Sequence, residues 1–506
     1  MTMDNIERVR HDTPARLDAE QFRRQGYLLI DQLGEFLAHL DHEAIKVEHS
    51  AETISRLLGG DPPAEGLGEE ALSDATQLLC HYAVSTSNPR FWGYIMGAAS
   101  PLAALADLLA GVVSPPMTSY STSALTVSME AQTVRWIAKL IGYDASGSGL
   151  FLSGGSIANF CALRLALQQY AGFDVRSEGV TSAQGAALCL YATHDAHSSI
   201  MAAVELAGLG SHAIHWIESD DYGCMNVDNL RQQLRNDRED GYRPFMVVGV
   251  AGSTSIGAVD LLGDIAEVCR SESVWFHADA AYGGFAALSR EAPPALQGLR
   301  EADSVTVDPH KWLYMPADIG CLLTRHRKAL YNTFHQGATY YANNDDQIHL
   351  GGPEVLQFRD LGPQTTRAFR ALKVRIALQA IGTDGYRRMI DDDIRLAKEL
   401  FNRVSQEPEL EAITNNLSIT TFRYVPNDLL LEARWEIAYL NKLNQAILHS
   451  IQQSGRFYPS QATIKSMFVI RVCIVNFNTT ISDIQALPTA VIETGRKLDR
   501  EFRERN

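Results

Sequence analysis

The sequence predicts an α/β protein built on a mostly parallel sheet covered on both faces, and three observations carry that expectation. Between residues 100 and 330, short apolar runs alternate with helical stretches. Several of these runs are too apolar to leave one face in water. Asp279 and Lys311 each follow such a run directly, at the carboxyl end of a strand, where open α/β sheets gather their ligands.

Near the N-terminus, Phe22, Leu29, Leu33, Phe36 and Leu40 recur at spacings of seven, four, three and four, a helical stripe whose apolar face requires a partner. A second helix is expected over residues 51–58, ended by Gly59-Gly60-Asp61-Pro62-Pro63, and a third over 68–82, stopped before Asn88-Pro89. Strands are expected at residues 187–192, 213–217, 245–250, 274–277, 304–307 and 319–323. Residues 365–381 read as a helix with Phe369, Leu372 and Ile376 on one face and Gly382 just beyond its end. Further helices and strands at 417–424 and 468–475 suit a small C-terminal α+β domain. Three units are therefore expected: a helical N-terminal segment (1–95), a large α/β domain (96–385) and the small domain (386–506).

Composition narrows the function. Of 506 residues, 46% are hydrophobic and 21% charged, which excludes disordered and fibrous classes. The net charge of −16, without a basic cluster, leaves no electrostatic footprint for nucleic acid or an anionic membrane. Seven scattered cysteines with no C-x-x-C pair argue against a disulfide framework and against a zinc site, so no metal is expected and a reducing cytoplasm is the natural compartment. Residues 1–14 lack an apolar signal core, and the most apolar stretch, 102–113, is interrupted by Asp107 and too short to span a bilayer.

Three motifs carry chemistry. Ser153-Gly154-Gly155-Ser156 lies between apolar Leu150-Phe151-Leu152 and a helix start; its amides and the Ser156 hydroxyl make a phosphate cradle, although a simple helix-capping turn explains the turn alone equally well. A carboxylate at Asp279 is costly to bury unless a cation meets it, with structural pairing as the other explanation. Lys311, in a short loop beside His310 and Trp312, is placed where a neutral amine can condense with an aldehyde. A phosphate cradle, a strand-end Asp and a strand-end Lys 32 residues later together match the needs of pyridoxal phosphate.

His277-Ala278-Asp279-Ala280-Ala281-Tyr282-Gly283-Gly284 and Asp308-Pro309-His310-Lys311-Trp312 closely resemble the cofactor motifs of the pyridoxal-phosphate-dependent (group II) amino-acid decarboxylases, and of their aromatic-L-amino-acid branch in particular. The resemblance runs from the Phe22 helix through Asn88-Pro89-Arg90-Phe91-Trp92-Gly93-Tyr94 to the last strand. It implies a fold-type I, aspartate-aminotransferase-like enzyme that converts an L-amino acid to the amine and carbon dioxide. It assigns Lys311 to the Schiff base, Asp279 to the pyridine nitrogen, and Ala281 and His197 to the two ring faces, with His197 also assisting proton transfer. Thr254, His310, Gly155 and Ser156 complete the cofactor contacts, and Tyr340 of a covering loop, with Tyr341 as fallback, protonates the substrate α-carbon. It also implies a homodimer with the active site at the subunit interface.

Departures from the aromatic branch leave the substrate open. Thr86 and Gly97 replace a tryptophan and a threonine, Pro115-Pro116-Met117-Thr118 replaces an apolar stretch, and Asp308 stands where some relatives have asparagine beside the phosphate. Tyr94 and Trp92 are candidate substrate contacts for an aromatic or aromatic-like side chain, and Arg90 for an acidic one. An unusual amino acid, an aldehyde product by oxidative deamination, and a catalytically silent protein on the same fold are the alternatives; retention of both His197 and Tyr340 favours simple decarboxylation.

Overall fold

Trp275, Phe276, His277, Ala278 and Asp279 are buried at every position, which only an interior strand covered on both faces can satisfy. They form β5 (Trp275–Asp279), the middle strand of a seven-stranded sheet in the order β1-β7-β6-β5-β4-β2-β3. The computed structural model describes residues 17–181, 187–337, 357–428 and 437–505. The other strands are β1 (Ser148–Leu152), β2 (Leu188–Thr193), β3 (Ile214–Ile217), β4 (Arg243–Val250), β6 (Ser304–Val307) and β7 (Gly320–Thr324). Pairing is parallel from β3 through β2, β4 and β5 to β6, whereas β7 runs antiparallel to both β6 and β1. The expected fold class, including the mostly parallel sheet, is the one observed.

Side-chain alternation along the strands divides the core. Phe151, Val247, Phe276 and Val305 face one apolar cluster, while Leu150, Met246, Val248 and Trp275 face another on the opposite side. Each aromatic ring that leaves water completely contributes roughly 2–3 kcal/mol. Helix α6 (Gly155–Tyr170) packs Ala162, Leu163 and Ala166 into the second cluster.

Four helices come before the first strand's own covering helix: α1 (Ala19–Ala38), α2 (Ala51–Leu58), α3 (Glu70–Tyr82) and α4 (Pro101–Val113); α5 (Ala124–Leu140) follows them. Asp18 closes a capping box on α1, yet no residue of α1 is buried: Phe22 is 47% exposed and Leu28 50%. Of the apolar stripe read from the sequence, Phe22 and Leu33 are exposed on the single chain, Leu29 and Phe36 are half-buried and Leu40 is buried. A second, antiparallel sheet, β10-β11-β9-β8, is built from β8 (Leu410–Asn416), β9 (Ile419–Tyr424), β10 (Ser460–Ile464) and β11 (Met467–Cys473). Leu443, Ile447 and Ile484 of its covering helices meet Phe422 and Ile470 beneath.

The helix expected at 365–381 begins instead at Ala371. Upstream of it, Arg367 is drawn into the core by Glu130, 2.5 Å away, and by the Phe151 carbonyl at 2.7 Å. Gly382 interrupts the helix with φ 72°, a left-handed conformation that favours glycine, before helical structure resumes to Ser405. Among the described residues, no helix is long and apolar enough to cross a membrane.

Candidate active site

Five loops at the carboxyl ends of the parallel strands and of β1 converge. The Ser153–Ser156 turn follows β1, His197 follows β2, Thr254 follows β4, Asp279 and Ala281 close β5, and the helical turn Pro309–Trp312 after β6 carries His310 and Lys311. Together they line a cavity of about 350 Å³. The structure thus brings Gly155, Ser156, His197, Thr254, Asp279, Ala281, His310 and Lys311 to one place.

Asp279 is 6% exposed and accepts hydrogen bonds from Asn159 Nδ2 at 3.0 Å and from the Ala281 amide at 3.2 Å. Two neutral donors do not balance a buried carboxylate, so this end of the cavity calls for a cation. Lys311 Nζ lies 3.1 Å from Asp308 Oδ2, and His310 Nε2 is farther, at 3.9 Å. His310 Nδ1 donates to the Ile319 carbonyl at 2.5 Å. His197 Nδ1 lies 2.8 Å from Ser199 Oγ.

Glycine is required at two positions here. A Cβ on Gly155 would stand 2.6 Å from Asp308 Oδ2, so the turn and the Asp308 carboxylate are in direct contact. A Cβ on Gly97 would stand 2.2 Å from the Lys311 carbonyl oxygen. In this chain the lysine loop approaches residue 97 too closely for a β-carbon without a backbone shift.

A larger cavity of about 830 Å³ shares His197, Thr254 and Lys311 and adds Tyr94, Tyr458 and Arg471. Tyr94 has φ 57°; its amide donates to Ser460 Oγ at 3.3 Å and its carbonyl accepts from Arg471 Nη1 at 2.8 Å. Tyr458 stacks on Phe91 with centroids 5.1 Å apart, and burial together with the neighbouring Tyr94 holds its phenol above the usual range. Arg471 is 2% exposed, and its Nη2 has no partner among the described residues.

Trp92 and Arg90 are not brought to either cavity. Trp92 is fully buried and donates to Thr479 Oγ1 at 3.1 Å, and Arg90 Nε pairs with Asp483 at 2.6 Å. Tyr340 and Tyr341 lie outside the described residues. Sequence reading passed over Asn159, Ser199, Tyr458 and Arg471. Only Asn159 carried a local signal, standing three residues after Ser156 and so on the same helix face as the phosphate turn.

No metal was expected, yet away from the cavity Cys189, His215 and Asp237 bring ligand-type atoms within 4.8 Å of one another. Tyr191 OH and His215 Nδ1 both reach Asp237 Oδ2, at 2.7 and 2.6 Å, which uses that oxygen's capacity within the cluster.

The smaller cavity fits pyridoxal phosphate. An uncompensated buried carboxylate stands at one wall, a lysine amine is within reach, and the glycine turn presents its backbone amides without β-carbons of its own. A lysine and a buried strand-end aspartate sharing one cavity on this sheet define a fold-type I pyridoxal-phosphate enzyme. The chain belongs to the pyridoxal-dependent decarboxylase family, whose conserved domain matches residues 54–425. It is 31% identical over 471 residues to the aromatic-L-amino-acid decarboxylase of Bacillus atrophaeus, covering 93% of this chain and 94% of the relative. It is 29% identical to the cysteine sulfinic acid decarboxylase of Mus musculus, over 75% of this chain and 76% of the relative. The crystal structure of mouse CSAD superposes with a TM-score of 0.87 at 24% identity, covering 95% of this chain and 99% of that one. The protein is a pyridoxal-phosphate-dependent amino-acid decarboxylase.

Proposed function

We propose that the protein decarboxylates an aromatic or aromatic-like L-amino acid to the corresponding amine. The observation that carries this reading is the larger cavity, where the Tyr94 and Tyr458 rings and Leu448 form a wall that opens onto Lys311 and His197. The name of the Bacillus atrophaeus relative agrees with it.

The bound cofactor supplies an electron sink for the pair left behind when the carboxylate departs as carbon dioxide. Lys311 is the residue that attaches it, and Asp279 holds the proton on its ring nitrogen. His197 and Ala281 would hold its ring between them, the Gly155 amide and Ser156 hydroxyl would take the phosphate, and Thr254 and His310 would add contacts, all of them lining the one cavity. As a free ammonium, Lys311 Nζ would have the Asp308 carboxylate 3.1 Å away to face its charge. Tyr340 delivers the proton to the α-carbon.

A second reading, an acidic side chain, is favoured by Arg471, whose buried and unpartnered Nη2 flanks the same cavity. Arg90, the candidate chosen from the sequence, is engaged by Asp483 instead. Mass-spectrometric product analysis with aromatic, acidic, basic and small L-amino acids separates the two. An amine from an aromatic substrate supports the first reading, and turnover of acidic substrates alone overturns it. Tyr340→Phe is expected to divert product from amine to aldehyde, and an unchanged ratio removes Tyr340 from its role. Borohydride reduction is expected to leave the cofactor on Lys311.

The enzyme works as a homodimer with the site at the subunit interface. Supporting this, Leu105, Leu109, Val112 and Val113 of α4 are about half exposed or more, and Phe22, Leu28 and Leu33 of α1 are exposed. A chain lacking residues 1–85 is expected to elute as monomer or aggregate; an active dimer would contradict the role of the N-terminal helices. Seven free cysteines support a reducing, cytoplasmic location.

A further inference from the structure

Behind Asp279 and His197 runs a chain of buried polar side chains whose hydrogens can be ordered from their chemistry alone. Trp275 Nε1, which can only donate, gives its hydrogen to Ser304 Oγ at 2.8 Å. Ser304 Oγ lies 2.8 Å from His277 Nδ1, and His277 Nε2 lies 3.1 Å from Asn159 Oδ1. Asn159 Oδ1 can only accept, so His277 Nε2 carries a hydrogen. Burial holds the His277 imidazole down at about 4, so it is neutral and its Nδ1 accepts from Ser304.

The Asn159 amide has two hydrogens, and the structure gives it two acceptors: Asp279 Oδ2 at 3.0 Å and Ser199 Oγ at 2.9 Å. Ser199 Oγ, already accepting, turns its own hydrogen to His197 Nδ1 at 2.8 Å, and the Ser199 backbone amide adds a second donor there at 3.2 Å. Nδ1 of His197 is therefore the bare nitrogen, and the hydrogen sits on Nε2. Asn159 and Ser199 are 2% and 4% exposed, so water does not compete for these bonds.

We infer that Asn159 is a positioning residue that serves both halves of the reaction through one side-chain amide: directly, it holds Asp279 as an acceptor, and by orienting the Ser199 hydroxyl it reinforces, beside the Ser199 backbone amide, the Nε2–H form of His197. This rests on the site assignment proposed above. Its consequence is that His197 meets the cofactor and substrate as a hydrogen-bond donor and not as a base. Asn159 also ties the two groups together, since losing its orientation perturbs Asp279 and His197 in one event.

Double-mutant cycles in the full chain test this. Cofactor dissociation constants are measured by fluorescence titration for Asn159→Ala, Asp279→Asn and the double variant. Asn159→Ala alone is expected to weaken cofactor binding roughly 10- to 100-fold, the worth of a buried bond to a charged acceptor. In the Asp279→Asn background the same change is expected to cost about threefold or less. In parallel, Ser199→Ala is expected to shift the pH profile of kcat/KM, and that shift is expected to vanish in a His197→Gln background. Additive effects in both cycles overturn the inference while leaving the site assignment standing. An Asp279→Asn variant that binds cofactor normally overturns the site assignment and the inference with it. Should Asn159→Ala fail to fold, the Ser199 and His197 cycle decides alone: a shift that survives in His197→Gln overturns the inference.

Discussion

Lys311 and Asp308 form an ion pair of 3.1 Å inside the smaller cavity, while the other Asp308 oxygen, also buried, has no partner among the described residues. The same carboxylate presses against the Gly155 turn that is proposed to take the phosphate. Two negative groups at that range repel. Asp308→Asn is therefore expected to tighten cofactor binding by about tenfold, since one close unscreened charge is worth roughly 1 to 2 kcal/mol. A fluorescence titration of cofactor-free protein reads this directly, and equal or weaker binding by the variant would show that the carboxylate does not oppose the phosphate.

The Glu130–Arg367 pair is the most buried ion pair described, with both side chains within 2% of complete burial. Arg367 makes two bonds to Glu130, at 2.5 and 3.1 Å, and sits 4.8 Å above the Phe358 ring. Glu130 also accepts from the Phe151 amide at 3.2 Å, which fixes β1 just before the phosphate turn. Glu130→Gln leaves the guanidinium uncompensated and is expected to lower stability by about 3–5 kcal/mol, whereas Glu130→Gln with Arg367→Met is expected to lose less than the sum of the singles. Urea unfolding of the three variants checks both statements, and additivity would refute the coupling.

What could be read from the sequence was what short-range pattern determines. Asp279 and Lys311 stood out because one ends an apolar run and the other lies in the short turn after one, and parallel strands deliver their carboxyl ends to one edge. Arg90 and Trp92 misled because proximity to Tyr94 in sequence does not give a shared direction. Phe91 pairs with Tyr458 in a β-bridge, and the positive φ of Tyr94 then turns the chain, so neighbouring side chains part company. Asn159 meets Asp279 across 120 residues and Arg367 meets Glu130 across 237, separations at which local periodicity carries no information. The helix expected from residue 365 starts only at Ala371, and the segment before it carries Arg367 into a pair whose partner lies far away in sequence.

Gly97 tests how tightly the lysine loop is held. Any β-carbon there meets the Lys311 carbonyl at 2.2 Å and the His310 carbonyl at 2.8 Å, and backbone atoms cannot rotate away. Gly97→Thr is expected to displace the loop, lower stability by about 1–3 kcal/mol and reduce retained cofactor. Melting temperature and the absorbance of bound cofactor after gel filtration measure the two effects. A variant that keeps both would mean the segment around residue 97 yields without moving Lys311.

Asp393 makes the stability of the lysine loop's surroundings depend on pH. It is fully buried on the helix ending at Ser405, where it accepts from Trp312 Nε1 at 2.9 Å and Tyr314 OH at 2.7 Å, two residues of the lysine loop. Burial raises its carboxyl to about 7 from an ordinary 3.8, against the opposing pull of those hydrogen bonds and of the Asn476 amide. Between about pH 4 and pH 7 the folded state keeps a proton that the unfolded chain has released. The stabilisation from that proton is complete below the unfolded value and is lost as pH rises through the folded one. The substitution Asp393→Asn removes the ionisable group, and the amide oxygen it introduces can still accept from Trp312 and Tyr314. The variant is expected to come close to the parent near the unfolded carboxyl value, about pH 4, and to exceed it above about pH 7 by on the order of 2–4 kcal/mol. Thermal melts of both proteins across this range decide the matter: a difference that stays flat with pH, or that favours the parent at high pH, means that Asp393 is ionised in the folded state throughout and that its two donors suffice to hold the charge.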